Sequence, residues 1–346
     1  MKKTQFIRDI GSNDEVDSLF LLGAASLQQA RNGLFWRLEL KDASGTLEAK
    51  IWSPQSQEYT GLAAGQIVEA QGRSSMFRDQ TQVAIDRLRL LSPEETAACD
   101  LALFLPASAR PAQEMLEELE QLCRRELTHP AWKKLVLSVL RHADIRPRLL
   151  TAPAAKNIHH AYVGGLLEHT LSVAGLALRL ADHYPELERQ ILLAAAVCHD
   201  LGKIWELVGG LVNDYSDAGR LLGHTILGLE HLEPFVQQSG LDSELARHFK
   251  HLILSHHGEH EYGAPQLPQT AEAFVLHHAD NIDAKTAQCR QIFSSFPEDD
   301  SGWSPYQATL GRFMHQPART PKSAAPGNDV QRKPVKETQC SLLSKE

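Results

Sequence analysis

The sequence predicts a multidomain α+β protein, with a five-stranded barrel in its N-terminal part and an all-α domain in its C-terminal half. Three observations carry this. Short alternating segments separated by turn residues run to about Leu91, after Ser92-Pro93 the apolar spacing becomes helical, and no convincing period-two stretch returns between Ala161 and Met314. At 346 residues the chain exceeds what one hydrophobic core usually fills, so two domains plus connecting segments are expected. The expected divisions are a barrel at 1–92, a helical connector at 93–150, a histidine-rich domain at 151–318 and a disordered tail at 319–346. In the tail, Pro, Lys, Ser, Gln and Asn leave too few apolar residues to order the chain.

The five strands are expected at 18–25, 34–40, 47–52, 67–72 and 82–90, with turns at Arg31-Asn32-Gly33, Asp42-Ala43-Ser44-Gly45 and Ala63-Ala64-Gly65. Five short strands in so small a span suggest a closed barrel, of which the OB-fold is a common nucleic-acid-binding version. Phe35, Trp36, Trp52 and Phe77 fall on or beside these strands, interleaved with Arg37, Lys50, Arg73 and Arg78. Bases stack on rings while phosphates meet cations, although small barrels also need aromatic residues inside. Alternation puts Leu47, Ala49 and Ile51 on one face and Glu48, Lys50 and Trp52 on the other, so Trp52 is the best exposed stacking ring. Trp52, Phe77 and Arg78 are the substrate-binding candidates here. Basic and acidic residues balance through residue 92, which favours stacking and local contacts over long-range attraction.

Helical texture follows. In 113–127, Leu116, Leu119, Cys123 and Leu127 recur at helical intervals, and 132–142 reads as a second amphipathic helix. Pro147 and Pro153 mark a boundary before the histidine-rich domain.

Composition narrows the classes. A hydrophobic fraction of 42% and a charged fraction of 23% are ordinary for a globular protein. No apolar run approaches the roughly 20 residues of a membrane helix, and the N-terminus lacks an apolar signal core, so a cytoplasmic protein that does not engage membranes is expected. Five scattered cysteines, none spaced as Cys-x-x-Cys, indicate neither a disulfide framework nor a thiolate zinc site. A net charge of -8 argues against a broad basic surface, so a polyanion must be gripped locally, as bound cations would allow.

Histidine has the abnormal distribution: all but His129, His142 and His315 lie between His159 and His278. The segment 191–198 is apolar on every face and ends in His199-Asp200-Leu201-Gly202-Lys203. Ionisable groups at the end of a buried helix are costly unless paired or bound to a cation. His199 and Asp200 can straddle one ion, and the second oxygen of Asp200 can reach another. Upstream, His169 lies on the margin of a stripe formed by Leu167, Leu171, Ala174, Leu178 and Ala181, and is expected to face inward. Downstream come His224 after Gly223, the doublet His256-His257, and Asp280 in His277-His278-Ala279-Asp280-Asn281.

This order, with the His-Asp-x-Gly-Lys form at 199–203, resembles the HD superfamily of metal-dependent phosphohydrolases. The stretches from His159-His160 to His169-Thr170, Leu222-Gly223-His224, Leu254-Ser255-His256-His257-Gly258 and Asp280 to Lys285 further resemble the YhaM family of 3′-to-5′ exoribonucleases, whose members carry an N-terminal OB-fold. The resemblance covers roughly residues 10 to 318. It implies one metal held by His169, His199, Asp200 and Asp280, and a second held by His224, His256 and bridging Asp200. His257 is an additional ligand in some HD-domains with this doublet. Histidine with carboxylate and no thiolate suits Mn, Fe, Co or Zn better than Ca; among these the resemblance implies Mn, and it also implies a substrate contact from His159, preference for RNA with directionality from the 3′ end, and a homo-oligomer.

Asp200 and Lys203 are the catalytic candidates. Lys203 is either a solvated lysine or an ammonium that neutralises a phosphate oxygen beside the metals. Asp283 is expected to cap or pair within its own helix, and His160, His183, His231, His248, His251 and His260 to be satisfied core or surface residues. The expected reaction is hydrolysis of the terminal phosphodiester of single-stranded RNA, with single-stranded DNA as a chemically equivalent substrate. Two rivals remain: an HD phosphohydrolase of nucleotides or cyclic dinucleotides, and a non-catalytic RNA-binding regulator.

Overall fold

The computed structural model describes residues 3–77, 80–105, 107–156, 160–208, 214–294, 296 and 301–318. The expected tail at 319–346 lies outside them. The chain divides into two compact units, Met1–Gln291 and Ile292–Glu346.

The first unit begins with the barrel strands β1 (Glu15–Ala30), β2 (Gly33–Asp42), β3 (Gly45–Ile51), β4 (Ile67–Phe77) and β5 (Gln80–Leu90). They close in the order β1-β2-β3-β5-β4, with β1 pairing antiparallel to both β2 and β4 and β3 running parallel to β5. This is the small five-stranded OB-type barrel. The strands run past their apolar runs, because hydrogen bonding continues beyond the buried residues. Bulges at Gly23 of β1 and Asp86 of β5 bend those strands around the barrel. Alternate residues fill the interior, among them Phe20, Leu22, Leu38, Leu40, Ala49, Ile51, Val68 and Val83.

The N-terminal segment is pinned to the barrel by a buried ion pair, Lys3 Nζ to Asp42 Oδ2 at 2.9 Å, with Lys3 also donating to the Leu19 carbonyl at 2.7 Å. Burying two charges is tolerated only when both are paired and hydrogen-bonded. Asp42 also accepts from Ser44 Oγ and from the amides of Ile7 and Ser44.

Among the described residues, ten α-helices and two short strands follow Ser92 before the second unit's strands: α1 (Pro93–Ala97), α2 (Ala112–Glu126), α3 (Pro130–Leu140), α4 (Ile145–Thr151), α5 (Gly165–His183), α6 (Arg189–Cys198), α7 (Lys203–Glu206), β6 (Leu207–Val208), β7 (Asp214–Tyr215), α8 (Asp217–Ser239), α9 (Ser243–Ser255) and α10 (Ala271–Phe293). Ser92 caps α1 through a reciprocal bond pair with Glu95. One core joins Met115 and Leu119 of α2, Trp132 and Leu135 of α3, Leu149 of α4, Leu166 and Val173 of α5 and all of α6 from Ile191 to Cys198. A smaller cluster of Leu19, Leu21, Ile67 and Phe104 links the barrel to the chain that follows it. The β6–β7 pair departs from the all-α expectation. It is only two residues long on each strand, too short for periodicity to reveal.

In the second unit, β8 (Gly302–Trp303) pairs antiparallel with β9 (His315–Gln316), with Trp303, Tyr306 and Phe313 exposed. Among the described residues, no helix is long and apolar enough to cross a membrane.

Candidate metal centre

Because α6 is buried all round, the residues that end it emerge inside the protein: His199 is fully buried and Asp200 nearly so. The chain then turns into α7, and Lys203 reaches back to place Nζ 2.6 Å from Asp200 Oδ2. Gly202 lies where α7 meets α8. A Cβ there would sit 1.8 Å from the His224 carbonyl oxygen, so only glycine permits the approach that brings His224 beside Asp200. Gly223, at φ 72° and ψ 160°, breaks α8 one residue earlier and frees the His224 amide, which donates to Glu206 Oε1 at 3.0 Å.

Around Asp200 the imidazoles fall into two sets. On the Oδ2 side, His169 Nε2 lies at 3.3 Å and His199 Nε2 at 3.4 Å, with Asp280 Oδ1 3.2 Å from His169 Nε2 and 4.0 Å from His199 Nε2. On the Oδ1 side, His224 Nε2 lies at 3.3 Å and His256 Nε2 at 3.5 Å. The His257 ring packs 4.2 Å from that of His256 and 5.0 Å from that of His224. Asp200, His224, His256 and His257 thus present one set of convergent donor atoms, and His169, His199 and Asp200 another.

The other ring nitrogen of each first-named imidazole is already committed. His199 Nδ1 donates to the Ala196 carbonyl at 2.8 Å and His256 Nδ1 to the Ile253 carbonyl at 2.7 Å. His169 Nδ1 meets Asp283 Oδ2 at 2.7 Å, and His224 Nδ1 meets Glu206 Oε1 at 3.1 Å. With the proton on Nδ1, a neutral imidazole turns a lone pair inward on Nε2, where it faces carboxylate oxygens that are acceptors too. Asp200 Oδ1, His224 Nε2, His256 Nε2 and His257 Nδ1 are accordingly buried with no hydrogen-bond partner among the described residues. Such crowding of acceptors is costly, and a divalent cation offsets it. The nitrogen and carboxylate donors, with no thiolate, suit a divalent transition metal.

Electrostatics agree. Burial opposes a charged imidazole at His169, but Asp200, Asp280 and Asp283 outweigh it and hold the pKa well above the usual value. A field that favours a proton there favours a metal cation equally. Burial also opposes ionisation of Asp200, yet Lys203 and His199 keep its carboxyl well below the ordinary range. Asp280 is likewise lowered against its burial, chiefly by His169. Burial, then the neighbouring His256 and His224, pushes His257 down to about 3, leaving a neutral ring able to bind a cation.

Two carboxylates at the centre are additional to the sequence expectation. Asp283 does not pair within its own helix: it takes hydrogen bonds from Ser172 Oγ at 2.5 Å and from the rings of His160 and His169, all on other elements. Its spacing three residues after Asp280 puts both on one face of α10, and that was the available signal. Glu206 carries no such mark, since a glutamate in a short helix reads as a solvated residue. It is buried here.

On the barrel, Trp52 and Phe77 are exposed at 44% and 52%, and Phe35 stacks on Trp52 with ring centroids 4.8 Å apart. Lys50 Nζ lies 5.8 Å from the Trp52 ring and 5.5 Å from that of Phe77. Trp36 is buried instead, as alternation requires. A nearby groove of about 710 Å³ includes Arg37, Glu39 and Glu48; Glu48 pairs with Arg37 and Lys50 alike, so the exposed rings of Trp52 and Phe77 are the distinctive feature of this face. Arg78 and His159 lie outside the described residues.

Residues 166–285 match the HD domain family model, and residues 107–187 match TraI_2, a helicase model. The 3′-5′ exoribonuclease YhaM of Bacillus velezensis is 35% identical over 286 residues, covering 82% of this chain and 89% of that protein. The protein of the same name from Bacillus subtilis is 34% identical over 286 residues, with the same coverage. Among solved structures, the second OB-fold domain of replication protein A from Methanococcus maripaludis aligns with 25% of this chain and 94% of that domain, at 16% identity and a TM-score of 0.22.

Proposed function

The chain belongs to the YhaM family of 3′-to-5′ exoribonucleases, and on that premise we propose how its own residues carry the reaction. It is a metal-dependent hydrolase that removes nucleotides from the 3′ end of single-stranded RNA, and its histidine and aspartate cluster binds divalent metal. His169, His199, Asp200 and Asp280 would hold one ion, and Asp200, His224, His256 and His257 the second. Mn fits a donor set of imidazole and carboxylate and is the ion the family resemblance favours, ahead of Fe, Co or Zn. When bound, the ions activate water and stabilise the attacking and leaving oxygens of the phosphodiester.

The rest is the work of side chains. Asp200 offers one oxygen to each half of the site. Lys203, anchored on Asp200 by one of its three N–H bonds, keeps donors for a non-bridging phosphate oxygen. Burial opposes its charge, but Asp200 holds its pKa above the ordinary lysine value, so the ammonium persists at neutral pH. The patch of Phe35, Trp52 and Phe77 grips the strand upstream, with bases on the rings, while the neighbouring Lys50 ammonium is held by Glu48 and Gln82. Arg78 and, from its place in the family motif, His159 are further substrate-binding residues of this proposal. Single-stranded DNA as a second substrate, assembly into a homo-oligomer and a cytoplasmic location complete the proposal.

The observation that carries this reading is the convergence of four Nε2 atoms on the two oxygens of Asp200, with buried acceptors left unpartnered there. An RNA labelled at its 5′ end tests it. The expected result is a ladder shortening from the 3′ end, lost in excess chelator and restored by Mn better than by Mg, with a DNA of the same sequence setting the substrate range. Hydrolysis of free nucleotides or cyclic dinucleotides with the RNA left intact would overturn it.

A further inference from the structure

Besides His257, each half of the site contains one imidazole oriented by its own helix and one that is not. His199 and His256 donate Nδ1–H to the carbonyl three residues earlier, Ala196 and Ile253, an acceptor the backbone supplies automatically. His169 and His224 instead rely on carboxylates brought from other elements: Asp283 on α10 for His169, and Glu206 on α7 for His224. We infer that Asp283 and Glu206 are positioning residues, one for each half of the site, so that loss of either loosens one ion and spares the other. This rests on the two-ion reading above.

The two supports are built differently. Glu206 grips His224 twice with one oxygen, accepting the amide at 3.0 Å and Nδ1 at 3.1 Å, so the ring and its backbone move together. Asp283 is the centre of a network. Its Oδ1 accepts from Ser172, one turn after His169 on α5, and its Oδ2 meets both His169 Nδ1 and His160 Nε2, the latter at 3.1 Å. His160 is fixed in turn by the Tyr162 hydroxyl at 2.8 Å, and that hydroxyl donates to Glu168 at 3.0 Å. His160, His169 and Asp283 also bring convergent donor atoms together, but His169 Nδ1 and His160 Nε2 lie at hydrogen-bond distances from the carboxylate, so the group serves as a support. A carboxylate accepting from the distal nitrogen fixes the ring's tautomer and orientation and makes its other nitrogen a stronger ligand.

Calorimetric titration of the full chain, stripped of metal, with Mn tests this. Wild type should take up two ions. Asp283→Ala should raise one dissociation constant by about 10- to 100-fold and leave the other unchanged, and Glu206→Ala should do the same for the other ion. With both substitutions, both steps should weaken. Turnover at saturating Mn should largely recover in each single variant, a split that general loss of structure would not give. Asp283→Asn and Glu206→Gln, whose amide oxygens still accept Nδ1–H, should show smaller shifts. If the alanine variants do not fold, these two, with melting curves of the metal-free chain as controls, carry the comparison. Wild-type titrations in every folded variant, or equal weakening of both ions by either substitution, would overturn the inference. Fewer than two ions in wild type would overturn the two-ion reading itself.

Discussion

Substituting Gly202 with alanine leaves every metal-facing side chain chemically intact and disturbs only their spacing. The new Cβ would lie 1.8 Å from the His224 carbonyl oxygen and 2.7 Å from the Gly228 amide nitrogen. Both are backbone atoms, which cannot rotate aside as the end of a long side chain can. Ordinary contact begins at 3.4 Å, so α7 and α8 must separate by about 1.6 Å in a close-packed region. His224 Nε2 is 3.3 Å from Asp200 Oδ1, and a separation on that scale takes it out of the shared cradle. Overpacking of this kind costs about 1–3 kcal/mol of stability, whereas misplacing a catalytic group by about 1 Å can cost roughly 100-fold in rate. Turnover of a short oligoribonucleotide at saturating Mn, measured beside the melting temperature, should therefore fall by about 100-fold or more while the protein remains folded. A Gly202→Ala enzyme with wild-type turnover would show that the α7–α8 spacing does not set the site.

Trp52→Ala should raise KM for long single strands more than it lowers kcat, and leave very short substrates nearly unaffected, since each stacked base contributes about 1–3 kcal/mol. Equal KM for both lengths would remove the barrel from substrate binding. A third expectation concerns acid. Burial opposes ionisation of Asp42, but hydrogen bonds from Ser44, Lys3 and the Ile7 amide outweigh it and hold the carboxyl below its ordinary 3.8. A carboxylate depressed on folding adds stability above that ordinary value and loses it as pH falls through the lower folded one. The melting-temperature gap between wild type and Asp42→Asn should thus be widest near neutrality and narrow in acid below about pH 4. A gap independent of pH would contradict the pairing with Lys3.

Much of this was legible in the sequence because the relevant signals are local or ordered. The barrel announced itself through alternation, and Leu47, Ala49 and Ile51 are buried as that alternation requires. The centre was visible in the spacing of His169, His199, Asp200, His224, His256 and Asp280, and the all-apolar α6 explained why His199 and Asp200 had to be interior. Sequence could not show which acceptor holds each Nδ1. For His199 and His256 the acceptor lies three residues back, but for His169 it comes from α10, 114 residues further on, and for His224 from α7, 18 residues earlier and outside its own helix. Local spacing therefore assigns Asp283 to its own helix and leaves Glu206 unmarked. His160 is a satisfied ring as expected, yet Asp283 ties it to His169, a relation that exists only in three dimensions.

The central claim is that one carboxylate serves both halves of the site. Asp200→Asn tests it most directly, because the amide keeps the side chain's size while removing the charge and turning one of the two ligand oxygens into a nitrogen that binds no cation. Release of 3′-terminal nucleotides from single-stranded RNA should be measured in saturating Mn, on protein whose circular dichroism matches wild type. The account predicts that release is abolished. Turnover close to wild type would contradict it.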